Sequence, residues 1–310
     1  MATYHSGEVA VQERSALTDQ ARFSLGGIGD SVPAVAAAFL AEQPLIVMGG
    51  TDSAGRVWAT QLAGAPGFLR VPDPRTLVID ALPPAEDPLS PVLATAGADG
   101  PARIGMIAVE PATRRRMRMN GTAVRSGGGL RVGLDQVIAN CPKYIQKRTH
   151  RILPPAEWEK AAGARTVTDG TELSAAQQRT VSASDTFFIA TTSDRGDADA
   201  SHRGGNPGFV RVLSPTLLRW PDYVGNAMFL TLGNLLLNPA AGLVFPDWET
   251  GSALLLTGTA HTVWDAEEIA RTPGAQRLVD FSVEAVREMP AASPLRWTAP
   301  GYSRFNPPAA

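Results

Sequence analysis

Residues 200–209 read Ala-Ser-His-Arg-Gly-Gly-Asn-Pro-Gly-Phe. Ser201, His202 and Arg203 set a hydroxyl, an imidazole and a guanidinium side by side, and Gly204 and Gly205 let backbone N–H groups come close to a ligand. Such donors suit an oxyanion, a phosphate above all, because a guanidinium forks onto two oxygens at once. Taken alone the stretch also suits a surface loop. A second group of cations, Arg114, Arg115, Arg116 and Arg118, lies in a segment that reads as a strand. Alternation sends Arg116 and Arg118 to one face beside Asn120. A solvated sheet face is the plain reading, with Arg118 the better ligand candidate because it lies nearest Gly121-Thr122-Ala123.

Other chemistry-bearing residues are sparse. Cys141, the single cysteine, excludes an internal disulfide; it reads as a packed small residue or as a redox thiol with Lys143 two residues on. Of the four histidines, only His202 sits among glycines and a cation; His5, His150 and His261 read as structural or exposed, and none pairs at metal-ligand spacing. Trp220 and Tyr223 flank Pro221-Asp222 and read as core or as a stacking surface for a planar ring.

The 310 residues carry a net charge of −2, with 44 % hydrophobic and 19 % charged residues. That balance describes folded domains, about two by length, and gives no attraction to nucleic acid or to an anionic membrane. The Arg114–Arg118 run has no interleaved aromatics on which bases could stack. The opening Met-Ala-Thr-Tyr-His-Ser-Gly-Glu has no apolar signal region, so the cytoplasm is the expected location. The uncharged run within 223–247 holds Asn226, Asn234, Asn238 and Pro239, and reads as a buried helix followed by a strand.

The chain repeats itself. Aligned at an offset of 141, residues 44–71 and 185–212 share nine identities: Thr51/Thr192, Gly55/Gly196, Ala59/Ala200, Gly64/Gly205, Pro66/Pro207, Gly67/Gly208, Phe68/Phe209, Arg70/Arg211 and Val71/Val212. About two are expected from composition. A second block, 105–123 against 242–260, aligns at an offset of 137 and ends in a shared Gly-Thr-Ala. In each copy an apolar β-run (45–49, 186–191) meets a turn at 52–55 or 194–197, and a returning strand leads to the shared Pro-Gly-Phe. Another hairpin follows (68–71 with 77–80; 209–212 with 217–220), then long strands at 106–109, 114–124 and 129–137 or 243–245, 253–263 and 278–286. Helices are expected over 35–42 and 175–184 ahead of each copy, over 225–237 within the second, and after Asp265, whose Glu268 completes a capping-box pattern. The segment 87–102, equivalent to the 225–237 helix, is broken by Pro88 and Pro91. Each copy is thus a helix followed by about six antiparallel strands, which suits a small closed barrel.

The order of apolar strand, turn, strand ending Ala-Ser-His-Arg-Gly-Gly-Asn-Pro-Gly-Phe, strand, Pro221-Asp222-Tyr223-Val224-Gly225-Asn226, helix, strand and Leu256-Thr257-Gly258-Thr259-Ala260 resembles the FMN-binding split-barrel proteins related to pyridoxamine 5'-phosphate oxidase. Asn140-Cys141-Pro142-Lys143-Tyr144 is similar to the Cys-Pro-Lys segment that closes many single-barrel members. The resemblance implies a mainly β fold with α (α+β), two tandem split β-barrels over 1–150 and 151–310, packed as an internal pseudo-dimer. It also implies FMN at the barrel interface and a flavin-dependent oxidoreductase acting on a small-molecule substrate or electron donor. Copy two keeps Ser201 to Gly205 where copy one has Thr60-Gln61-Leu62-Ala63-Gly64, while copy one keeps Arg118 and Asn120 where copy two has Leu255 and Thr257. One intact site is therefore expected, from Ser201, His202, Arg203, Gly204, Gly205, Asp222, Gly225 and Asn226 of copy two with Arg118, Asn120 and Lys143 of copy one. Its mirror, lined by Leu62 and Leu255, is expected to be dead. No catalytic residue and no metal is assigned. A deazaflavin reductase, which would draw on Arg114 to Arg118, and a non-enzymatic flavin-nucleotide-binding protein are the alternatives. The tail residues Arg296, Trp297, Tyr302, Arg304 and Phe305 are expected to fold over the site, and further homodimerisation is left open.

Overall fold

In the computed structural model, which describes residues 2–308, the duplication becomes two sheets of eight strands with one topology. The first sheet contains β1 (Ile28–Gly29), β2 (Leu45–Thr51), β3 (Val57–Ala63), β4 (Leu69–Asp73), β5 (Thr76–Ile79), β6 (Ala102–Glu110), β7 (Arg115–Ser126) and β8 (Gly129–Ala139). Its order is β3-β2-β6-β7-β8-β5-β4, with β1 added to β8. After the short β9 (His150–Ile152), the second sheet is built from β10 (Thr168–Gly170), β11 (Thr186–Thr192), β12 (Ala198–Gly204), β13 (Arg211–Ser214), β14 (Leu217–Asp222), β15 (Ala240–Pro246), β16 (Ala253–Val263) and β17 (Arg277–Met289). Its order is β12-β11-β15-β16-β17-β14-β13, with β10 on β17. The chain is thus mainly β with α, two tandem split barrels, and each sheet has eight strands where the spacing predicted about six. Seven strands of each sheet match runs placed individually in the sequence; the eighth, β1 in one sheet and β10 in the other, is too short to leave a periodic pattern.

The shared residues are mostly backbone requirements. Gly55 and Gly196 turn their hairpins at φ +82° and +81°, and Gly67 and Gly208 sit at +94° and +89°, a region L-residues rarely adopt. A Cβ on Gly64 or Gly205 would strike Phe68 or Phe209. The Gly of each Gly-Thr-Ala follows a register shift, between Asn120 and Gly121 and between Thr257 and Gly258, where its Cα lies against a carbonyl of the next strand.

Helices α1 (Ser6–Arg14) and α2 (Thr18–Leu25) precede the first barrel, α3 (Ala34–Ala41) enters it, and α4 (Ser90–Thr95) occupies the proline-broken segment. The second half carries α5 (Pro155–Gly163), α6 (Ala175–Ala183), α7 (Leu230–Leu237) and α8 (Ala266–Ala270), α6 beginning in a Ser174/Gln177 capping box. The predicted helix over 225–237 starts five residues late, at Leu230: Ala227 and Phe229 have φ of +60° and +58°, and Asn226 Oδ1 takes the Met228 N–H at 3.1 Å. α1 does not stay with its own half. It crosses to α7, where a Cβ on Gly7 would meet the Gly233 carbonyl. No helix among the described residues is long and apolar enough to cross a membrane.

The barrels meet through β2, β3, β6 and β7 on one side and β11, β12, β15 and β16 on the other. The first core extends across this seam to Phe188, Ala190, Ala200, Val244 and Leu255, while Phe187, Trp220, Phe245 and Phe281 centre the second. The tail does not form the expected lid. Arg296 and Trp297 lie in β18 (Leu295–Trp297), paired with β9; beyond it Gly301 bonds Lys147, and Asn306 bonds Gln146 and Asn206.

Contact at the seam is between backbones. A Cβ on Gly105 would fall on the Asp199 backbone, and one on Gly242 would lie 2.5 Å from Trp58 Cα. Gly105→Ala and Gly242→Ala are each expected to lose about 1–3 kcal/mol or more in urea denaturation. Gly128→Ala, with nothing within 4 Å of its Cβ, is expected to stay within about 0.5 kcal/mol of the parent.

Candidate functional site

The end of β12, the start of α7 and the turn after β8 enclose a cleft of about 120 Å³ on the barrel seam. Nine predicted residues line it: Ser201, His202, Arg203, Gly204, Asp222, Gly225 and Asn226 from copy two, with Arg118 and Lys143 from copy one. The other two lie elsewhere. Gly205 lies behind the wall, its Cα packed on Phe209 and its carbonyl accepting Gln146 Nε2 at 3.1 Å. Asn120, just before the β7 bulge, turns to Gln136 Oε1 (3.0 Å) and opens onto a different cleft. Gly204 is needed for the approach of chains: a Cβ there would strike the Tyr144 carbonyl.

Arg116, Arg118 and Arg203 bring three guanidinium groups together. Arg118 pairs with Asp199 across the seam, in a contact only 10 % and 3 % exposed. Arg116 Nη1 reaches His202 Nδ1 at 3.3 Å, and Arg203 Nη1 donates to the His202 carbonyl at 3.2 Å. Because a guanidinium can only donate, Nδ1 of His202 must accept and its proton sits on Nε2. Burial, helped by Arg116 and Arg203, holds the imidazole well below its usual range, so it is neutral. It stands edge-on to Phe188 at 5.5 Å and positions Arg116 rather than adding charge. Burial pushes Arg116 down to about 10, which leaves it cationic at neutral pH. The Nε atoms of Arg116 and Arg118 and the Oδ1 of Asn140 are buried without a partner. Native proteins seldom tolerate such atoms, and here the two N–H groups belong to residues that line a cleft.

Asp222 faces this cluster. Burial raises it and Arg203 and Arg277 lower it, with burial the stronger. With Arg118 answered by Asp199, the cations Arg116, Lys143 and Arg203 exceed Asp222 by two (three minus one). The first turn of α7 adds its N-terminal end, with Phe229, Leu230, Thr231 and Leu232 in the wall. The Thr231 hydroxyl lies 3.1 Å from Ser201 Oγ and 3.4 Å from Asp199 Oδ2. The loop ahead of α7 is tied from three distant places: Tyr144 Oη donates to Val224 O (3.1 Å), Ser24 Oγ to Asn226 O (2.6 Å) and Gln12 Nε2 to Met228 O (3.2 Å). Tyr144, Ala227 and Phe229, half of the six non-glycine residues with positive φ among the described residues, all line this one cleft. The rings of Tyr144 and Tyr223 lie 5.0 Å apart at its edge.

Several members of the wall were not assigned from sequence. Arg116 read as a solvated face, although its two-residue spacing from Arg118 carried the signal. Tyr144 and Thr231, and Asp199 behind the wall on Arg118, gave no signal beyond adjacency to assigned residues. Trp220 is core, 1 % exposed, and Cys141 is an exposed thiol on the cleft wall. The mirror corner is apolar: Leu62 and Leu255 are 2 % and 1 % exposed and share one core cluster with Trp58.

No protein-family model matches the chain, and no curated protein sequence does. Solved structures similar to it include the FAD-binding protein from Mycobacterium smegmatis (17 % identity over 39 % of this chain and 98 % of that one, TM-score 0.28). A FAD-binding protein from Mesorhizobium loti is similar at 15 % identity over 40 % and 97 %, TM-score 0.28. A Clostridium acetobutylicum protein related to general stress protein 26, of the pyridoxinephosphate oxidase family, is similar at 15 % identity over 34 % and 78 %, TM-score 0.23.

Beneath the α7 end, Glu8 of α1 is buried, 3 % exposed, and burial with Asp199 nearby pushes its carboxyl up to about 7 from an ordinary 4.5. The folded state therefore holds a proton that the unfolded chain releases. That stabilisation is complete below about pH 4.5 and is lost as pH rises through 7. Denaturation midpoints measured from pH 5 to 8 are expected to fall by an amount equivalent to at most about 3 kcal/mol, and Glu8→Gln to remove that part of the slope.

Proposed function

We propose that the seam cleft holds the phosphate end of a flavin nucleotide, FMN, and that the chain is a flavin-dependent oxidoreductase with one flavin per chain. The observation that carries this is the excess of two positive charges, with two buried guanidinium N–H groups unpartnered, at the N-terminal end of α7. A phosphomonoester dianion matches that charge and accepts the orphaned donors. The enclosed volume of about 120 Å³ is below that of pockets which bury a whole cofactor, so it suits the anionic end, with the planar end against the Tyr144 and Tyr223 rim.

When bound, the flavin supplies hydride and electron chemistry at its ring. The protein's part is positional. Arg203, Arg116 and Lys143 hold the anion, neutral His202 orients Arg116, and Asp199 fixes Arg118. The deazaflavin alternative would draw on the whole Arg114 to Arg118 run. Arg114 is spent on the carbonyls of Ile145 and Gly301, Arg115 on Glu110 and Arg118 on Asp199, which leaves Arg116 alone of the run for the cleft and favours the shorter single phosphate.

FMN added to flavin-stripped protein, followed by its visible bands, is expected to saturate at one equivalent per chain. Arg203→Ala and Arg116→Ala should each weaken binding about ten- to hundredfold, the loss of a charge-assisted hydrogen bond. Saturation at two equivalents, or no binding, overturns the reading. A single visible band in the protein as purified would assign a deazaflavin instead.

A further inference from the structure

A second and larger cleft lies on the far side of the Arg118–Asp199 pair. It encloses about 890 Å³, within the range that takes a whole small molecule. Its walls are the N-terminal segment through Glu8, the β1 end at Asp30, the β11–β12 hairpin tip and the bulged part of β7 and β8.

The electrostatics of this cleft are opposite to those of the first. Glu8, Asp30, Asp135, Asp194, Asp197 and Asp199 face it, against Arg75, Arg103 and Arg195. Three carboxylates are already answered, Asp30 by Arg75, Asp197 by Arg103 and Asp199 by Arg118. Asp135 and Asp194 remain against Arg195, while Glu8, whose carboxyl burial raises to about 7, adds only part of a charge. His5 adds no positive charge, since Nδ1 accepts the Gly7 N–H at 3.1 Å, Nε2 lies 3.0 Å from Asn234 Oδ1 and burial lowers its pKa.

A separate observation points to the ligand's donors. Asn120 lines the cleft and is 9 % exposed; its Nδ2 is taken by Gln136 and Asp199, and its Oδ1 is buried with no donor. A buried amide oxygen without a partner asks for an N–H. Among the described residues no three His, Cys, Asp or Glu converge at metal-binding distance, so the carboxylates are spread for an extended ion rather than a point charge.

We propose that this second cleft binds a small organic cation rich in N–H donors, an amine or guanidine, with an N–H on Asn120 Oδ1 and its charge toward Asp135 and Asp194. The proposal does not rest on the flavin reading. It is tested by calorimetric titration of the full chain with spermidine, alongside the dianion glutarate, with and without FMN. Spermidine is expected to bind saturably at one per chain and glutarate not at all. Asp135 and Asp194 are exposed, so D135N/D194N should keep its unfolding midpoint while spermidine affinity falls about tenfold or more. Arg203→Ala should leave spermidine binding unchanged. No saturable binding, equal affinity in the double variant, or displacement of spermidine by FMN overturns the proposal. Failure of FMN to bind leaves the spermidine result standing and counts only against the flavin reading.

Discussion

Two sheets can clasp this closely only where one backbone lies directly on another. Gly105 lies on Asp199, Gly242 on Trp58 and Gly49 on Ala190, the first two pairs being pseudo-symmetric equivalents and the third sitting between the paired strands. These three glycines leave no room for a side chain of their own, so what flanks the close approach is held in narrow corners on either side. Packing at this density transmits strain, which is why a single methyl at these glycines is costly.

The duplication creates two such corners, and the sequence treats them oppositely. Trp58, Leu62 and Leu255 fill one; of their equivalents, Arg203 and Arg118 line the other and Asp199 pairs with Arg118 behind it. Apolar burial contributes roughly 25 cal/mol per Å², whereas a buried ion pair seldom repays its desolvation. The dry corner therefore provides adhesion. The polar corner weakens adhesion, and its charges are the part of the seam that packing does not explain. A symmetric pair of identical barrels would have to compromise at both places; covalent fusion removes that requirement.

Much of this was legible because the shared residues answer backbone demands that leave few substitutes. Positive-φ glycines, the Gly-on-Phe contacts and the bulge glycines of Gly-Thr-Ala survive in both copies and expose the repeat. The copy-specific residues Arg118, Arg203 and Lys143 were legible by contrast, each standing where its equivalent lacks a charge or where a turn closes the barrel. What escaped reading depended on distant partners. The late start of α7 combines the local turn in which Asn226 takes the Met228 N–H with the bonds that Gln12, Ser24 and Tyr144 make to the loop's carbonyls, and those distant partners leave no local pattern. Asn120 shares a face with Arg118 by alternation, yet opens onto the other cleft beside the bulge. The tail's aromatics suggested a lid, but Trp297 packs on Trp248 and His150, where strand pairing with β9 places it.

The crossing of α1 to α7 ties these features together. Ala227 and Phe229 hold backbone conformations that cost on the order of 1–3 kcal/mol each, and such conformations persist only when surrounding contacts over-determine them. Here those contacts come from the other end of the chain, through Gln12 and Ser24, with Gly7 and Gly233 in backbone contact and Glu8 buried beneath. The same N-terminal segment roofs the acidic cleft through Tyr4, His5 and Glu8. One element thus shapes the cationic cleft from behind and the acidic cleft from above, and the Arg118–Asp199 pair stands between them. A change of charge at that pair is felt on both sides. The two clefts thus share a wall at this pair, Arg118 facing one and Asp199 the other.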